Sequence, residues 1–138
     1  MKKRLLCLLL PLITLILELL PYGAVCNFAN PEGDPWRVTF SYFDPTPFGY
    51  ANVTPLITAV LTCVILLLLV WYAVTGNLRV GYAARSTTLV TALVSLGPVL
   101  MFGISYFSIV GVLISLTLLA EACVLRLLGL RRGISRYA

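Results

Sequence analysis

The sequence contains no histidine, and its other reactive side chains are few and scattered. Histidine is the commonest metal ligand and general base, so its absence removes the usual basis for a metal centre or for acid–base catalysis. The four cysteines, Cys7, Cys26, Cys63 and Cys123, show no metal-like spacing, and we expect them to pack as small apolar residues. No nucleophile–base pair, phosphate-binding loop or pair of carboxylates occurs. We therefore predict that the protein is not an enzyme and has no catalytic residues, metal site or cofactor.

Charged residues are also scarce. They make up 11% of the chain, hydrophobic residues make up 60%, and the mean hydropathy is +1.01. The stretch from Pro55 to Thr75 contains no charged residue. About 20 apolar residues, each rising 1.5 Å, cross a hydrocarbon layer of roughly 30 Å as a helix. Because the apolar stretches are continuous and do not alternate, they indicate helices and not a barrel. The sequence predicts an all-α membrane protein.

Four such stretches predict an up-down four-helix bundle that forms a single domain over residues 1–138. The first stretch follows the basic start MKKR and could also be a secretory signal, which would give a secreted product after cleavage. It is long for a signal and contains Pro11 and Glu18, so a retained span is favoured. We expect the third span to kink at Gly97–Pro98. The predicted spans are residues 5–25, 55–75, 86–103 and 108–128, with an outer loop at 26–54, an inner loop at 76–85 and a tail at 129–138.

The lysine and arginine residues are distributed very unevenly among these segments. Nine of the ten fall on one side of the four spans, and only Arg37 falls on the other. An excess of basic residues marks the cytoplasmic side, so we predict a multi-pass protein with both termini in the cytoplasm. The net charge of +5 comes from basic residues at the ends of the spans, where they orient the protein and meet anionic headgroups. We therefore expect no nucleic-acid partner. The nine residues are Lys2, Lys3, Arg4, Arg79, Arg85, Arg126, Arg131, Arg132 and Arg136.

Glu18 is predicted to lie inside the first span, in its outer half. If the helix extends to Ala24, the carboxyl lies about 9 Å below the outer surface, where a lone charge is costly. We therefore expect it to be protonated, paired or facing water. Thr58 and Thr62 of the second span lie at a similar depth. Pro98 cannot donate to the carbonyl of Val94, which leaves an acceptor that a protonated Glu18 could reach. A proton- or cation-linked site and a neutral glutamate with a structural role both remain open.

Glu121 is the second ionisable residue predicted to lie within the membrane. It falls near the inner end of the fourth span, close to Arg126, and we favour an interfacial ion pair or a side chain that reaches the headgroups. Its depth differs too much from that of Glu18 for the two to form one acid–base pair.

Small and hydroxyl residues recur at helical spacing on the last three spans, where we expect them to pack helix against helix.

The outer loop is unusually aromatic, with eight of the 15 aromatic residues lying between Tyr22 and Tyr50. The partial alternation from Trp36 to Phe43 predicts a strand that pairs with residues 24–29 as a hairpin. Aromatic segments beside a bilayer usually lie at the headgroups or cover the bundle. The alternative is a docking surface for a partner protein. The docking candidates are Trp36, Phe40, Tyr42, Phe43, Phe48 and Tyr50.

The stretch FSYFDPTPFGYANVTPLITAVLTC and the basic start MKKRLL resemble small uncharacterised four-span membrane proteins of Gram-positive bacteria. The resemblance is strongest over residues 27–63. It implies a bacterial cytoplasmic membrane and no known activity, so it assigns no functional residues. Small multidrug-resistance transporters also carry a glutamate in the first span, but they lack a long outer loop, and their motif around that glutamate is absent here. Claudin-like tetraspan proteins have paired loop cysteines, which this chain lacks.

Two functional hypotheses follow from these patterns. The leading one is a non-enzymatic membrane component whose outer loop binds a partner, either an envelope protein or a second copy of the chain. The alternative is a small proton- or cation-coupled transporter subunit built around Glu18. In both, the lipid bilayer surrounds the helices.

Overall fold

The structure, a computed structural model, describes residues 6–34, 36–45 and 52–134. Within these ranges the chain is mostly helical and contains one two-stranded sheet. The strands are β1 (Ala24–Phe28) and β2 (Trp36–Phe40). The helices are α1 (Leu9–Leu19), α2 (Thr54–Thr75), α3 (Leu78–Ser95), α4 (Gly97–Phe102) and α5 (Ile109–Ile134), with a 3₁₀ turn at Ile104–Tyr106 between the last two.

Three helical stretches are long and apolar enough to cross a membrane. They are Thr54–Thr75, Leu78–Phe102 and Ile109–Leu127, with mean hydropathies of 2.6, 1.3 and 2.0. Helix α1 is also apolar, but its 11 residues rise only about 17 Å, short of the roughly 30 Å of a bilayer core. Among the described residues, large aliphatic side chains cover the outer surface, whereas twelve polar or charged side chains are buried. A surface of this kind is suited to lipid, so the helices are consistent with a membrane protein.

The helices enclose an interior to which α1, α2, α3 and α5 all contribute. Helix α2 packs on α3, α3 packs on α5, and α1 lies against α5 and α2. Ile65 and Leu69 of α2 and Ile114 and Leu118 of α5 are almost fully buried in this interior. They share it with hydroxyl groups and two carboxyl groups.

Helix α1 is shorter than the predicted first span of residues 5–25, because Ala24 and Val25 belong to β1. Leu20 has an extended backbone with a ψ of 138°. It precedes Pro21, whose ring disfavours a helical conformation at the residue before it. As a result Glu18 lies one residue from the end of α1, next to the chain that leads into β1.

The predicted inner loop of residues 76–85 is also wrong, since α3 already begins at Leu78. The side chain of Asn77 accepts a hydrogen bond from the backbone N–H of Arg79 at 3.0 Å and so caps the helix. Helix α2 ends at Thr75 as predicted, followed by Gly76 with a φ of 68°. At the other end of the chain α5 runs to Ile134, so residues 129–134 of the predicted tail are helical.

Two other expectations agree with the structure. The third predicted span is interrupted at Leu96, where α3 ends and α4 begins with Gly97 and Pro98. The predicted hairpin is present as an antiparallel pair, with Ala24 opposite Phe40 and Phe28 opposite Trp36.

Candidate functional site

Glu18 lies in the interior and is fully buried. Its Oε1 atom accepts a hydrogen bond of 2.8 Å from the hydroxyl of Thr62 on α2, which confirms one of the partners predicted from depth. Its Oε2 atom is buried and has no hydrogen-bond partner among the described residues. The carbonyl of Val94, proposed from the sequence as a third partner, instead accepts from the backbone N–H of Leu96.

The Thr62 hydroxyl can serve Glu18 in either protonation state. It lies within hydrogen-bond distance of both Glu18 Oε1 and the Thr58 carbonyl, at 2.8 and 3.1 Å, but has only one hydrogen to donate. If Glu18 is protonated, its carboxyl donates to Thr62, and Thr62 donates to Thr58. If Glu18 is ionised, Thr62 donates to the carboxylate instead. A proton can therefore enter or leave without any heavy atom changing its contacts.

Residues that follow β2 cover Glu18 on the side of the hairpin. The backbone N–H of Tyr42 and the hydroxyl of Ser41 both donate to the Glu18 carbonyl, each at 3.0 Å. These two bonds satisfy a carbonyl in the last turn of α1, where helix carbonyls lack intrahelical donors. The ring of Tyr42 is 2% exposed. Burial, and to a lesser degree the nearby Glu18 carboxylate, raise the pKa of Tyr42.

Hydrogen bonds also join the start of the hairpin to the start of α5. Ser108 donates to the Gly23 carbonyl at 2.7 Å and accepts from the backbone N–H of Gly111 at 2.9 Å. Ala24 forms an isolated antiparallel bridge with Phe107. The end of α1 and the start of α5 are therefore adjacent, and these two helices run antiparallel through the interior.

Glu121 is placed differently from the prediction. It is 1% exposed in the interior, and neither carboxyl oxygen receives a hydrogen bond from any described residue. The expected interfacial ion pair with Arg126, or a side chain extended to the headgroups, is therefore wrong. Helix α5 turns Glu121 towards Cys7, which lies just before α1, and towards Thr88 of α3. The Thr88 hydroxyl lies near the carboxyl but donates its hydrogen to the Ala84 carbonyl at 2.9 Å.

Hydroxyl groups occupy the interior between the two carboxyls. Thr14 of α1 and Thr117 of α5 are joined by a hydrogen bond of 2.8 Å between their hydroxyl oxygens. Ser95 of α3 and Ser115 of α5 form a second such pair at 2.9 Å. Each pair links two helices through side chains that hold one exchangeable hydrogen apiece.

No protein-family model, curated protein or solved structure matches this chain. Its function must therefore be argued from its own residues. The part of the chain that the structure describes brings together no group of three histidine, cysteine, aspartate or glutamate side chains. What it does bring together in the interior is two carboxyls with several hydroxyls, and such groups bind, orient and transfer protons.

The aromatic docking candidates are distributed between surface and interior. Trp36, at the start of β2, is 71% exposed, and Phe40, at its end, is half-buried. Phe43 is half-buried and packs against the interior, and Tyr42 is fully enclosed, so neither presents a free ring. Phe48 and Tyr50 lie outside the described residues.

The sequence analysis did not identify Thr14 and Thr117, which bond to each other across α1 and α5. Each precedes a glutamate by four residues, Thr14 before Glu18 and Thr117 before Glu121, and residues four apart lie on one face of a helix. This repeated Thr-x-x-x-Glu spacing was the available signal. Ser41 was missed for a different reason, because its contact depends on how the hairpin folds back onto α1.

Proposed function

We propose that the chain is a four-span protein of the bacterial cytoplasmic membrane with both termini in the cytoplasm. The three long apolar helices and the apolar outer surface support this arrangement. So does the separation of charge, since Arg79 and Arg126 lie at the opposite end of the helices from Arg37 on β2. In this proposal α1 belongs to the first span.

We further propose that the protein binds and releases protons at Glu18 as a component of a proton-coupled membrane process. The observation that carries this proposal is the fully buried carboxyl with a hydroxyl partner that suits both of its protonation states. A carboxylate in a hydrocarbon layer is costly, and such residues mark ion pathways or proton relays. A proton needs no additional ligands, whereas a metal cation would need further oxygen atoms directed at it.

Infrared difference spectroscopy on the purified protein in lipid tests proton binding at Glu18. Protonated and ionised carboxyls absorb at different frequencies, so titration should reveal a carboxyl band that changes with pH. Glu18→Gln should abolish that band, because an amide has the same shape and cannot titrate. The matched control is Glu32→Gln, which changes an exposed carboxyl of the outer segment and should leave the band in place. A spectrum unaffected by Glu18→Gln would overturn the proposal.

A second candidate function is partner binding by the hairpin, and the exposure of Trp36 favours it. Large aromatic residues dominate the binding energy of protein interfaces, and this indole ring is mostly uncovered at the start of β2. We propose an envelope protein or a second copy of the chain as the partner. The two functions do not exclude one another, since Trp36 is exposed on the hairpin whereas the Glu18 carboxyl is buried in the interior.

Crosslinking in intact cells tests the docking function. Trp36→Ala and Phe40→Ala should each remove a crosslinked product that Glu18→Gln leaves intact. Trp71→Ala is the matched control, because Trp71 is 59% exposed but lies near the other end of α2. Crosslinks that survive both hairpin substitutions would rule out docking through this surface.

A further inference from the structure

The strongest unexplained feature of the interior is Glu121. It is almost completely buried, yet neither of its carboxyl oxygens has a hydrogen-bond partner among the described residues. An ionised carboxylate without partners in an apolar interior is strongly disfavoured, so the group is expected to hold a proton there. Structural packing alone does not explain a glutamate at this position, because a leucine or methionine would fill the space without an unpartnered polar group.

The positions of Glu18 and Glu121 relate them to one another. The Thr14–Thr117 hydrogen bond fixes the point at which α1 and α5 face each other. Glu18 lies four residues from Thr14 towards the hairpin, and Glu121 lies four residues from Thr117 in the opposite direction. At 1.5 Å per residue, the two glutamate backbones are about 12 Å apart along the helix axes. This separation agrees with the difference in depth between Glu18 and Glu121 that the sequence predicted.

Side-chain direction shortens that separation. Side chains in a helix tilt towards the helix N-terminus. Because α1 and α5 are antiparallel, the side chains of Glu18 and Glu121 tilt towards each other and towards the Thr14–Thr117 pair. The two carboxyls lie within electrostatic range of one another. The Thr14–Thr117 pair thus lies between the two glutamates along the helix axes. Neither threonine hydroxyl is hydrogen-bonded to a carboxyl oxygen, so a transfer requires each carboxyl to rotate onto the pair.

The hydroxyls between the carboxyls can reverse their hydrogen bonds. Thr14 lies 3.0 Å from the Leu10 carbonyl and 2.8 Å from the Thr117 hydroxyl, and Thr117 lies 2.8 Å from the Ile114 carbonyl. With one hydrogen each, the two threonines have alternative arrangements that point the bond between them in either direction. Reversible hydrogen bonds of this kind are what a proton needs in order to pass along a chain of hydroxyls.

We propose that Glu121 is a second proton-binding site and that Thr14 and Thr117 connect it to Glu18 in an intramembrane proton relay. The proposal rests on the proposed proton binding at Glu18. In each transfer the Glu18 carboxyl loses its O–H bond and the Glu121 carboxylate gains one, while each intervening hydroxyl accepts one proton and gives up another. No electron is transferred and no further reactant is needed.

Other ionisable groups face the relay from each packed element. The hairpin exit contributes Tyr42 beside Glu18, and α2 contributes Cys63. Cys7, just before α1, lies beside Glu121. The nearest basic residues along α3 and α5, Arg85 and Arg126, donate no hydrogen bond to Glu121. Over the pH range in which tyrosine and cysteine stay protonated, the two glutamates are therefore the groups that exchange protons.

The test uses the full chain reconstituted into liposomes that contain a pH-sensitive dye, with a potassium gradient and valinomycin to drive proton entry. The proposal predicts that the native chain carries a proton flux. Glu121→Gln should lower this flux by about tenfold or more, since the relay loses an acceptor. Thr117→Val should do the same while both carboxyls still titrate. Thr87→Val, which removes a hydroxyl bonded only to the Ala83 carbonyl of its own helix, is the matched control and should leave the flux unchanged.

Infrared titration of the same samples separates this inference from the proposed function. Two pH-sensitive carboxyl bands are expected, one lost in Glu18→Gln and the other in Glu121→Gln. If the Glu18 band titrates but Glu121→Gln removes no band, the relay is wrong and the proposed function stands. If neither carboxyl titrates, both are wrong. If both bands are present but Glu121→Gln and Thr117→Val carry the native flux, the connection through the threonines is wrong.

Discussion

Among the described residues, the Thr62 hydroxyl is the hydrogen-bond partner of the Glu18 carboxyl, and the second carboxyl oxygen of Glu18 has none. Hydrogen bonds between membrane helices contribute less than their low-polarity surroundings suggest, because the unfolded chain in lipid also finds partners. A carboxyl that loses its one partner also bears the cost of a buried unsatisfied group. These two effects act together at Thr62, so this threonine should matter more for stability than the others on α2.

Thr62→Val should lower the free energy of unfolding by about 1 kcal/mol, because valine keeps the shape but removes the hydroxyl. Thr58→Val is the control, since Thr58 is equally buried one turn away and its hydroxyl donates only to the Thr54 carbonyl. Unfolding in mixed detergent micelles, followed by circular dichroism, measures the difference. Equal effects of the two substitutions would contradict the importance of the Glu18 contact.

Tyr42 should make the protein sensitive to alkali. Burial raises the pKa of its phenol above the ordinary value of 10.0, so as pH rises the unfolded chain loses this proton before the folded chain does. The folded state binds the proton more tightly, and the stabilisation is intact below about pH 10 and falls above it by up to about 1.4 kcal/mol per pH unit.

Tyr42→Phe should therefore flatten the loss of stability above about pH 10, since phenylalanine fills the same space and cannot ionise. Tyr82→Phe is the control, because Tyr82 is 55% exposed and its substitution should leave the alkaline profile as it is. Thermal unfolding in detergent at neutral and alkaline pH gives the comparison. A profile that Tyr42→Phe leaves unchanged would show that this phenol is not responsible.

At the scale of elements, the break between α3 and α4 brings the backbone of Gly97 against the side chain of Thr54. A Cβ atom at Gly97 would lie 2.7 Å from the Thr54 Cγ2 atom at the start of α2, closer than real Cβ contacts. The interruption that the sequence predicted at Gly97–Pro98 thus has a packing role. It lets the apolar stretch Leu78–Phe102 approach the beginning of α2.

Gly97→Ala should destabilise the fold by about 1–3 kcal/mol, the usual cost of overpacking a tight contact. Thr54→Ser removes the methyl group that the new side chain would meet, so the double variant should recover part of the loss. Chemical or thermal unfolding of the two single variants and the double variant forms a complete cycle. If the loss of unfolding free energy in the double variant equalled the sum of the losses in the two single variants, the contact would be contradicted.

The accuracy of the predicted elements varied with the kind of signal. The second span was placed to within one residue, because a long uncharged run, a proline near its start and a glycine after its end all agree. The first span was extended too far, since its hydropathy continues through Leu20 and Pro21 although the helix does not. The inner loop was misjudged because the arginines of α3 suggested a polar connection, while the capping side chain of Asn77 starts a helix there.

The candidate site was only partly predictable for a similar reason. Depth along a helix follows from residue counting, and it identified Thr62 as a partner of Glu18. Which way a residue faces depends on how four helices pack, and a single sequence does not give that rotation. Glu121 was therefore assigned to the interface from its nearness to Arg126 in sequence, although it turns inwards.

At the scale of the whole molecule, the proposed topology is open to direct labelling. Trp36→Cys should react with a membrane-impermeant maleimide on intact cells, because residue 36 is exposed on the hairpin. Asn77→Cys, exposed in the connection between α2 and α3, should react only after permeabilisation. The native chain, with its own four cysteines, supplies the background. Labelling of Asn77→Cys in intact cells would show that the orientation is the opposite of the one proposed.

Glu18 is held both through its backbone carbonyl and through its side chain. Its carbonyl is held by the chain leaving the hairpin, while its side chain enters the interior. A displacement of the hairpin would therefore move the backbone of Glu18 and, with it, the side chain that carries the carboxyl. If a partner that binds the hairpin displaced these contacts, the proton affinity of the carboxyl would change, and by thermodynamic reciprocity the protonation of the carboxyl would change the affinity for that partner.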